Sequence, residues 1–489
     1  MSLKEFKGNW FHYIGMLPRD WVRHPRRFSF VSMRAEFVFA SVLGFVGCGG
    51  IGFVNDLDNG STASEGGIAV TQDGSVADVF AGNDAMPDAS PEASVATTEC
   101  GVWPAATGDV LEIGPESSAT LAETVRKAKA GTTLVLRDGT YDLSASIQMY
   151  TSGVTLRSKS NDATKVTLDA RYVVAEAIAI GASDVIIAHV TIKRAVDHPI
   201  HAYPSGASTI SGITIYGVVL EDGGEQFLKA NGNEAKTAWV DSGRVECSRF
   251  RMTTIGRTKV EPNPGGCYTG GIDVHGGRNW VVRHNTFEEI YCAGTGLAEH
   301  AIHFWRGARD TLIENNVINN CARGIGLGLD SVVGRTYSDD PYPGVSPISH
   351  YGGIVRNNVV FADHAFFDTG IELDQARGSV IVHNTVFSPT PSTGQFFSSI
   401  DYRFANTDVE IRNNIVRKIT QRDGGKASVS NNFETNDPAS FLNVKLLDFH
   451  LAPGASGAID KGVAHASAGV DLDGQPHNSG APDVGADER

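Results

Sequence analysis

The sequence predicts an all-β chain wound as a parallel β-helix solenoid with an N-terminal cap helix. Three observations predict this. Short apolar runs rich in Val and Ile end at an asparagine: WVVRHNTF (280–287), TLIENNVI (311–318), GIVRNNVV (353–360), SVIVHNTVF (379–387) and VEIRNNIV (409–416). Their asparagines, Asn285, Asn316, Asn358, Asn384 and Asn414, are 31, 42, 26 and 30 residues apart. A second short strand precedes most runs, with no helical segment between them, so a doubly wound sheet, which needs a helical crossover per strand, is excluded. Coils of this length stack, each strand pairing with its equivalent one coil away. The asparagines then stack at the turns and hydrogen-bond along the column.

Taken in chain order, residues 1–48 hold a preface and an apolar run, FVFASVLGFVG (37–47), ending at Cys48. This resembles a lipoprotein signal peptide with Cys48 as the lipidated first mature residue, and Met33 gives it a compact start. An uncleaved anchor over 37–53 is the alternative. Residues 49–99 carry nine acidic residues and no Lys or Arg. Such a segment cannot bury enough apolar surface to offset its chain entropy, so it reads as a disordered tether. The expectation is an exported, outer-membrane or cell-surface lipoprotein that meets the membrane through its lipid only. ATLAETVRKAKA (119–130) places Leu121, Val125 and Ala128 on one face, as a helix plugging the first coil would. Residues 100–433 form the β-helix, and the loop-rich 434–489 closes its far end. Asp471 and Asp473 in DLDG hint at a calcium loop, although Pro476 stands where an EF-hand requires glycine.

Net charge is −15, with 56 acidic against 41 basic residues. That excludes a general nucleic-acid binder, which needs a basic footprint. Six cysteines occur. Export permits disulfides, and Cys247, Cys267, Cys292 and Cys321 admit two bridges in three connectivities. The repeated N-N-x-[VI] turns, the cap helix running into GTY (139–141) and the terminal DLDG…PDVGADE are similar to those of the right-handed parallel β-helix, pectate-lyase-like superfamily, over about 100–489. That resemblance implies the fold; lyases, hydrolases, epimerases and adhesins share it.

Strand alternation sorts the side chains of the preceding strands into two outward columns. One reads His201, Phe227, Asp273, His303, Gly326, Glu372, Asp401; the other Tyr203, Lys229, His275, Trp305, Gly328, Asp374, Arg403. Lys229, His275 and Trp305 are thus expected side by side, with Asp273 and His303 adjacent, Arg306 at the strand edge, and Glu299 and His300 just before it. Insertions 231–242, 252–269 and 330–351 are expected to wall a groove over 225–306, with Tyr337, Tyr342 and Tyr351 stacking on sugars. Gly326 and Gly328 are expected to leave room for a sugar ring.

This set suits β-elimination of an acidic polysaccharide. Arg306 and Lys229 neutralise the substrate carboxylate. Lys229 or His275 is the base, and His303 or Tyr268 the acid. Asp273, Trp305, Tyr268, Glu299, Glu372 and Asp374 are the expected substrate-binding residues. IHFWRGARDTLIENN (302–316) resembles the arginine-bearing coil of the chondroitinase B and alginate lyase family, onto which Arg306 maps. The family's lysine position falls on Gly276, leaving Lys229 to reach in from one coil further back, and Asp273 and Glu299 are the nearest match to its calcium ligands. The pattern requires no cofactor, with Ca2+ the ion it admits; Asp273, His275 and His303 are the candidate metal trio. Hydrolysis through Glu372, Asp374 and Asp401 is the second enzymatic reading, and a non-catalytic glycan-binding or adhesin β-helix the third. The chain is expected to act as a monomer.

Overall fold

The computed structural model describes residues 100–489 except 102, 107, 261–266, 295, 330–333, 391–397 and 479. The expected signal peptide, Cys48 and the acidic tether lie outside the described residues.

Among the described residues, three parallel sheets of 14, 10 and 11 strands run along the chain. Each coil contributes one strand to each sheet, giving a right-handed parallel β-helix. The interior is a set of apolar columns. Leu228, Ile272, Ile302, Ile325, Ile371 and Ile400 lie one above the next in register and are buried. A fully buried side chain of this size contributes about 1.5–3 kcal/mol. Phe250 and Phe287 stack at 4.5 Å between centroids in the same core.

The cap forms as expected. Helix Ser118–Arg126 buries Leu121 and Val125, one turn apart, over the first coil. Tyr141 of the GTY triplet is fully buried, and its hydroxyl donates to the carbonyls of Ile113 and Arg137, both at 2.8 Å. At the far end, Phe387, Phe441, Phe449 and Leu451 form a separate apolar cluster, built on the antiparallel pair Phe441–Asn443 and Asp448–Leu451.

The asparagine ladder is continuous from Asn285 through Asn316, Asn358, Asn384 and Asn414 to Asn432. Each Oδ1 accepts both the backbone N–H and the Nδ2–H of the preceding member, at 2.9–3.1 Å. The residue before each ladder asparagine is left-handed: His284, Asn315, Asn357, His383, Asn413 and Asn431 all have φ between 53° and 55°. Asn and His enter that region more readily than branched residues. This explains why the repeat reads N-N or H-N: the first residue turns the chain and the second joins the ladder.

The cysteines pair differently from the expected grouping. Cys100 joins Cys247, and Cys267 joins Cys292, leaving Cys321 a buried free thiol. The first bridge fastens the start of the described chain to the side of the β-helix, and the second ties the residues before strand Gly270–His275 to those before strand His300–Trp305. In the C-terminal turn, Asp471 accepts backbone N–H groups from Asp473, Gln475 and Glu488. Its carboxylate organises the DLDG turn directly.

Candidate functional site

The ten-stranded sheet carries the candidate residues. Its first outward column runs His201, Lys229, Asp273, His303, Gly326, Glu372, Asp401. In the second, His275 pairs with Trp305, Gly328 with Asp374, and Asp374 with Arg403. Lys229 therefore stands in the Asp273 column, two places from where simple alternation put it, and Phe227 is not outward at all. The reason is local. Gln226 pairs with Gly270 and Leu228 with Ile272, so the strand sits two residues along from the expected register; Phe227, next to Leu228, is turned into the core. Phe227 packs against Phe250 at 6.5 Å.

The residues expected to meet do meet, through side-chain reach. The Lys229 ammonium donates to Asp273 Oδ2 and lies 3.1 Å from His275 Nε2. Trp305 Nε1 donates to Asp273 Oδ1 at 2.7 Å. The Trp305 ring lies parallel to His303 (5.5 Å, 3°) and edge-on to His275 at 4.5 Å. Arg306, in the left-handed region at φ 57°, lays its guanidinium on Trp305 at 4.5 Å. Its Nε is buried without a hydrogen-bond partner among the described residues. Lys229, Asp273, His275 and His303 are buried; Tyr268, Glu299, Trp305 and Arg306 are partly exposed and form the outer edge.

Burial pushes the Lys229 ammonium towards neutrality, but the Asp273 carboxylate more than offsets this, so its pKa is raised and it stays charged. For Asp273, burial works against the anion, yet Lys229 and His275 hold it well below the usual carboxylate range. Burial, and then Lys229, lower His275 to about 3. Burial, and then His300, lower His303 to about 4. Tyr268 is raised by burial, with Lys229 opposing. The centre is thus a charged Lys–Asp pair flanked by neutral histidines and a protonated phenol. Because Lys229 Nζ bridges Asp273 and His275, the expected metal trio of Asp273, His275 and His303 has a cation between two of its members already.

The carboxylates form a second group. Glu372 Oε2 receives His300 Nε2 at 2.8 Å, and Glu372 and Asp374 face Arg403 at 3.7 and 3.8 Å. Burial raises Glu372, but the His300 hydrogen bond and Arg323 outweigh it and keep the group ionised. Burial and the adjacent Glu372 drive Asp374 well above the usual range. Asp401 is fully buried and ion-paired to Arg422.

Two expectations are corrected. Gly326 and Gly328 leave no room for a sugar: a Cβ on Gly326 would meet the His300 ring at 2.8–2.9 Å, and one on Gly328 would strike the Asp374 carbonyl. The tyrosines of the long insertion are committed to the protein. Arg278, Arg309 and Arg335 lie over the Tyr337 ring at 5.7, 5.0 and 4.9 Å, Arg377 lies over Tyr342 at 5.1 Å, and Tyr351 is buried. His300, which the sequence places just before the strand without a role, starts the strand His300–Trp305 and is buried beside His303, with ring centroids 4.5 Å apart.

Buried neutral histidines predict acid lability. Burial first, whatever the opposing contacts, lowers His275, His350 and His383 each to about 3. Their folded pKa lies below the unfolded value of about 6.5, so the unfolded chain takes up protons first on acidification. Their contribution is complete above pH 6.5 and is lost as pH falls towards 3, with a slope approaching about 1.4 kcal/mol per pH unit for each. Urea midpoints measured from pH 7.5 to 4.5 are expected to fall steadily below 6.5; a flat profile would contradict the burial of neutral imidazoles.

Fold and ladder define the class by architecture: the chain folds as a right-handed parallel β-helix. Residues 176–416 match the family described as "Right handed beta helix region". No curated protein matches by sequence. Among solved structures, a pectate lyase is similar at 14% identity and TM-score 0.47, covering 78% of this chain and 97% of that one. An alginate lyase from Paenibacillus sp. str. FPU-7 is similar at 13% identity and TM-score 0.42, covering 66% and 99%. A lacto-N-biosidase from Eubacterium ramulus is similar at 11% identity and TM-score 0.44, covering 68% of each chain.

Proposed function

We propose that this chain is a tethered, exported enzyme that cleaves an acidic polysaccharide by β-elimination at the outer edge of the ten-stranded sheet. The observation that carries the reading is the convergence of Lys229, Asp273, His275, Trp305 and Arg306. Arg306 and the Lys229 ammonium neutralise the uronate carboxylate, which acidifies the neighbouring ring proton. Lys229 is held charged, so it supplies charge and does not take the proton. The substrate carboxylate draws the ammonium from His275 Nε2, whose freed lone pair takes the ring proton. The glycosidic C–O bond breaks as the double bond forms, and Tyr268 protonates the leaving oxygen. Asp273 holds Lys229 and Trp305 in place, and Glu299 lines the entrance. Two disulfides fit an oxidising compartment, which agrees with export and with Cys48 as a lipid anchor.

Hydrolysis has one observation in its favour. Glu372 and Asp374 are adjacent carboxyl groups whose environments drive them apart, one ionised and one protonated, as a base and an acid require. One screen separates the readings: purified protein with alginate, pectate and glycosaminoglycans, with and without a calcium chelator. Elimination gives ultraviolet absorbance from an unsaturated sugar end, lost in Arg306→Ala and Lys229→Ala. New reducing ends without that absorbance, lost in Asp374→Asn, indicate hydrolysis instead. Retention of a polysaccharide without new ends indicates a binding protein.

A further inference from the structure

Glu299, His300 and His303 each place one ligating atom within 4.8 Å of the others. What marks this group is which nitrogens are left over. His303 Nε2 lies 2.9 Å from the Gly328 carbonyl, which can only accept, so Nε2 carries the proton and Nδ1 keeps its lone pair. That Nδ1 is 3.9 Å from Asp273 Oδ1, beyond hydrogen-bonding reach. His300 Nε2 lies 2.8 Å from the Glu372 carboxylate, which likewise assigns the proton to Nε2. Its Nδ1 is buried with no hydrogen-bond partner among the described residues, on a side chain only 1% exposed. A buried ring nitrogen without a partner costs free energy unless something fills the vacant valence. Two imidazoles, each fixed by a backing acceptor on one nitrogen and bare on the other, have the outer support that metal-bound histidines carry. Glu299 adds a carboxylate at the exposed edge, with Arg323 3.9 Å away as its present neighbour.

We propose that Glu299, His300 and His303 form a binding site for a divalent transition metal of the zinc type. Two imidazole nitrogens and one carboxylate oxygen suit such an ion and are a poor match for calcium or magnesium, which take oxygen. Ligand atoms about 2.0–2.2 Å from one ion stand roughly 3.3 Å apart, so small side-chain rotations close the site. The other histidine–carboxylate group, His450 with Asp473 and Asp487, lacks this character: both His450 nitrogens are occupied by carboxylates, at 2.6 and 2.7 Å. The site does not depend on the elimination reading, because none of its three residues transfers a proton there.

The test is titration of the chelator-stripped full chain with Zn2+ by calorimetry, and with Co2+ by visible absorption. One equivalent of Zn2+ is expected to bind, and Co2+ to give the intense bands of a four-coordinate N/O site. Glu299→Gln, at a partly exposed position, is expected to weaken Zn2+ binding at least tenfold, and His303→Ala and His300→Ala to abolish it. His450→Ala is expected to leave it unchanged, and because binding is read without polysaccharide, failure of the metal site is distinguished from failure of the elimination chemistry. Should His300→Ala fail to fold by circular dichroism, Glu299→Gln and His303→Ala decide. Absence of stoichiometric binding by folded protein, undiminished binding in Glu299→Gln and His303→Ala, or its loss in His450→Ala would each overturn the assignment.

Discussion

Replacing Asp273 with alanine is expected to cost about 3–5 kcal/mol of stability, the range for removing one partner of a buried ion pair. Asp273 is the hub of the site: it accepts from Lys229 on one oxygen and from Trp305 on the other, and His275 stands 3.3 Å away. Without it the Lys229 ammonium, whose side chain is 4% exposed, is buried with no carboxylate partner, and the Trp305 N–H loses its acceptor. Burial then acts on Lys229 without its main opposing charge and its pKa falls, so some of the loss is recovered at high pH as the amine becomes neutral. A double variant, Asp273→Leu with Lys229→Met, removes both charges and is expected to recover most of the loss, because replacing a whole buried pair by apolar groups is often close to neutral. Equilibrium urea unfolding of the four members of this cycle measures the coupling. A cost below about 1 kcal/mol for Asp273→Ala, or no recovery in the double variant, would remove Asp273 from the centre of the site. Under the elimination reading turnover also falls, by roughly a hundredfold or more, since Lys229 and Trp305 lose the carboxylate that holds them in place.

The sequence made the solenoid legible because its two constraints are local and repeated. A ladder asparagine and the left-handed residue before it recur in every coil from 284 to 432, and no other arrangement uses that dipeptide so regularly. The cap helix was legible for the same reason, through the spacing of Leu121 and Val125. The site was legible by composition and misplaced by geometry. Alternation along a strand assumes one residue in, one residue out, and the site coils break it. Phe227 and Leu228 both face the core, and so do Ala301 and Ile302. The first turns Phe227 inward, while Lys229 reaches the Asp273 column because its strand pairs two residues along, Gln226 with Gly270. The second brings His300 and His303, three apart, onto one face, which an unbroken strand forbids. Both slips are set by how neighbouring coils fill the interior, as Phe227 does against Phe250. The Cys100–Cys247 bridge was hidden differently: it spans a sequence separation of 147 and joins residues that no spacing relates. The tyrosines at 337 and 342 suit sugar stacking by residue type alone, but Arg278, Arg309 and Arg377 from other coils, with the neighbouring Arg335, cover them.

The ladder carries the other large expected effect. Asn358 is fully buried at its middle. Its Oδ1 accepts from Asn316 N and Nδ2 at 3.0 and 2.9 Å. Its Nδ2 donates to the carbonyls of Ile313 and Arg356 and to Asn384 Oδ1, at 3.0, 2.8 and 2.9 Å. Asn358→Ala strips partners from both neighbouring coils at once, and each buried polar group left unmade costs about 1–3 kcal/mol. After relaxation a loss of about 3–5 kcal/mol is expected. Asn358→Asp is expected to be worse at neutral pH, since a carboxylate would face the Ile313 and Arg356 carbonyls and Asn384 Oδ1 with no proton to give. Asn432 is the contrasting position. It is the last member and partly exposed, and its Nδ2 donates only to Ile411 O, at 3.0 Å, so water can replace what Asn432→Ala removes and about 1 kcal/mol is expected. Thermal unfolding of the three variants tests this gradient. Coils of a solenoid depend on their nearest neighbours, so a break at 358 is felt on both sides and one at 432 only at the end; equal losses at both positions would show that the asparagines act as separate turn residues and not as a connected column.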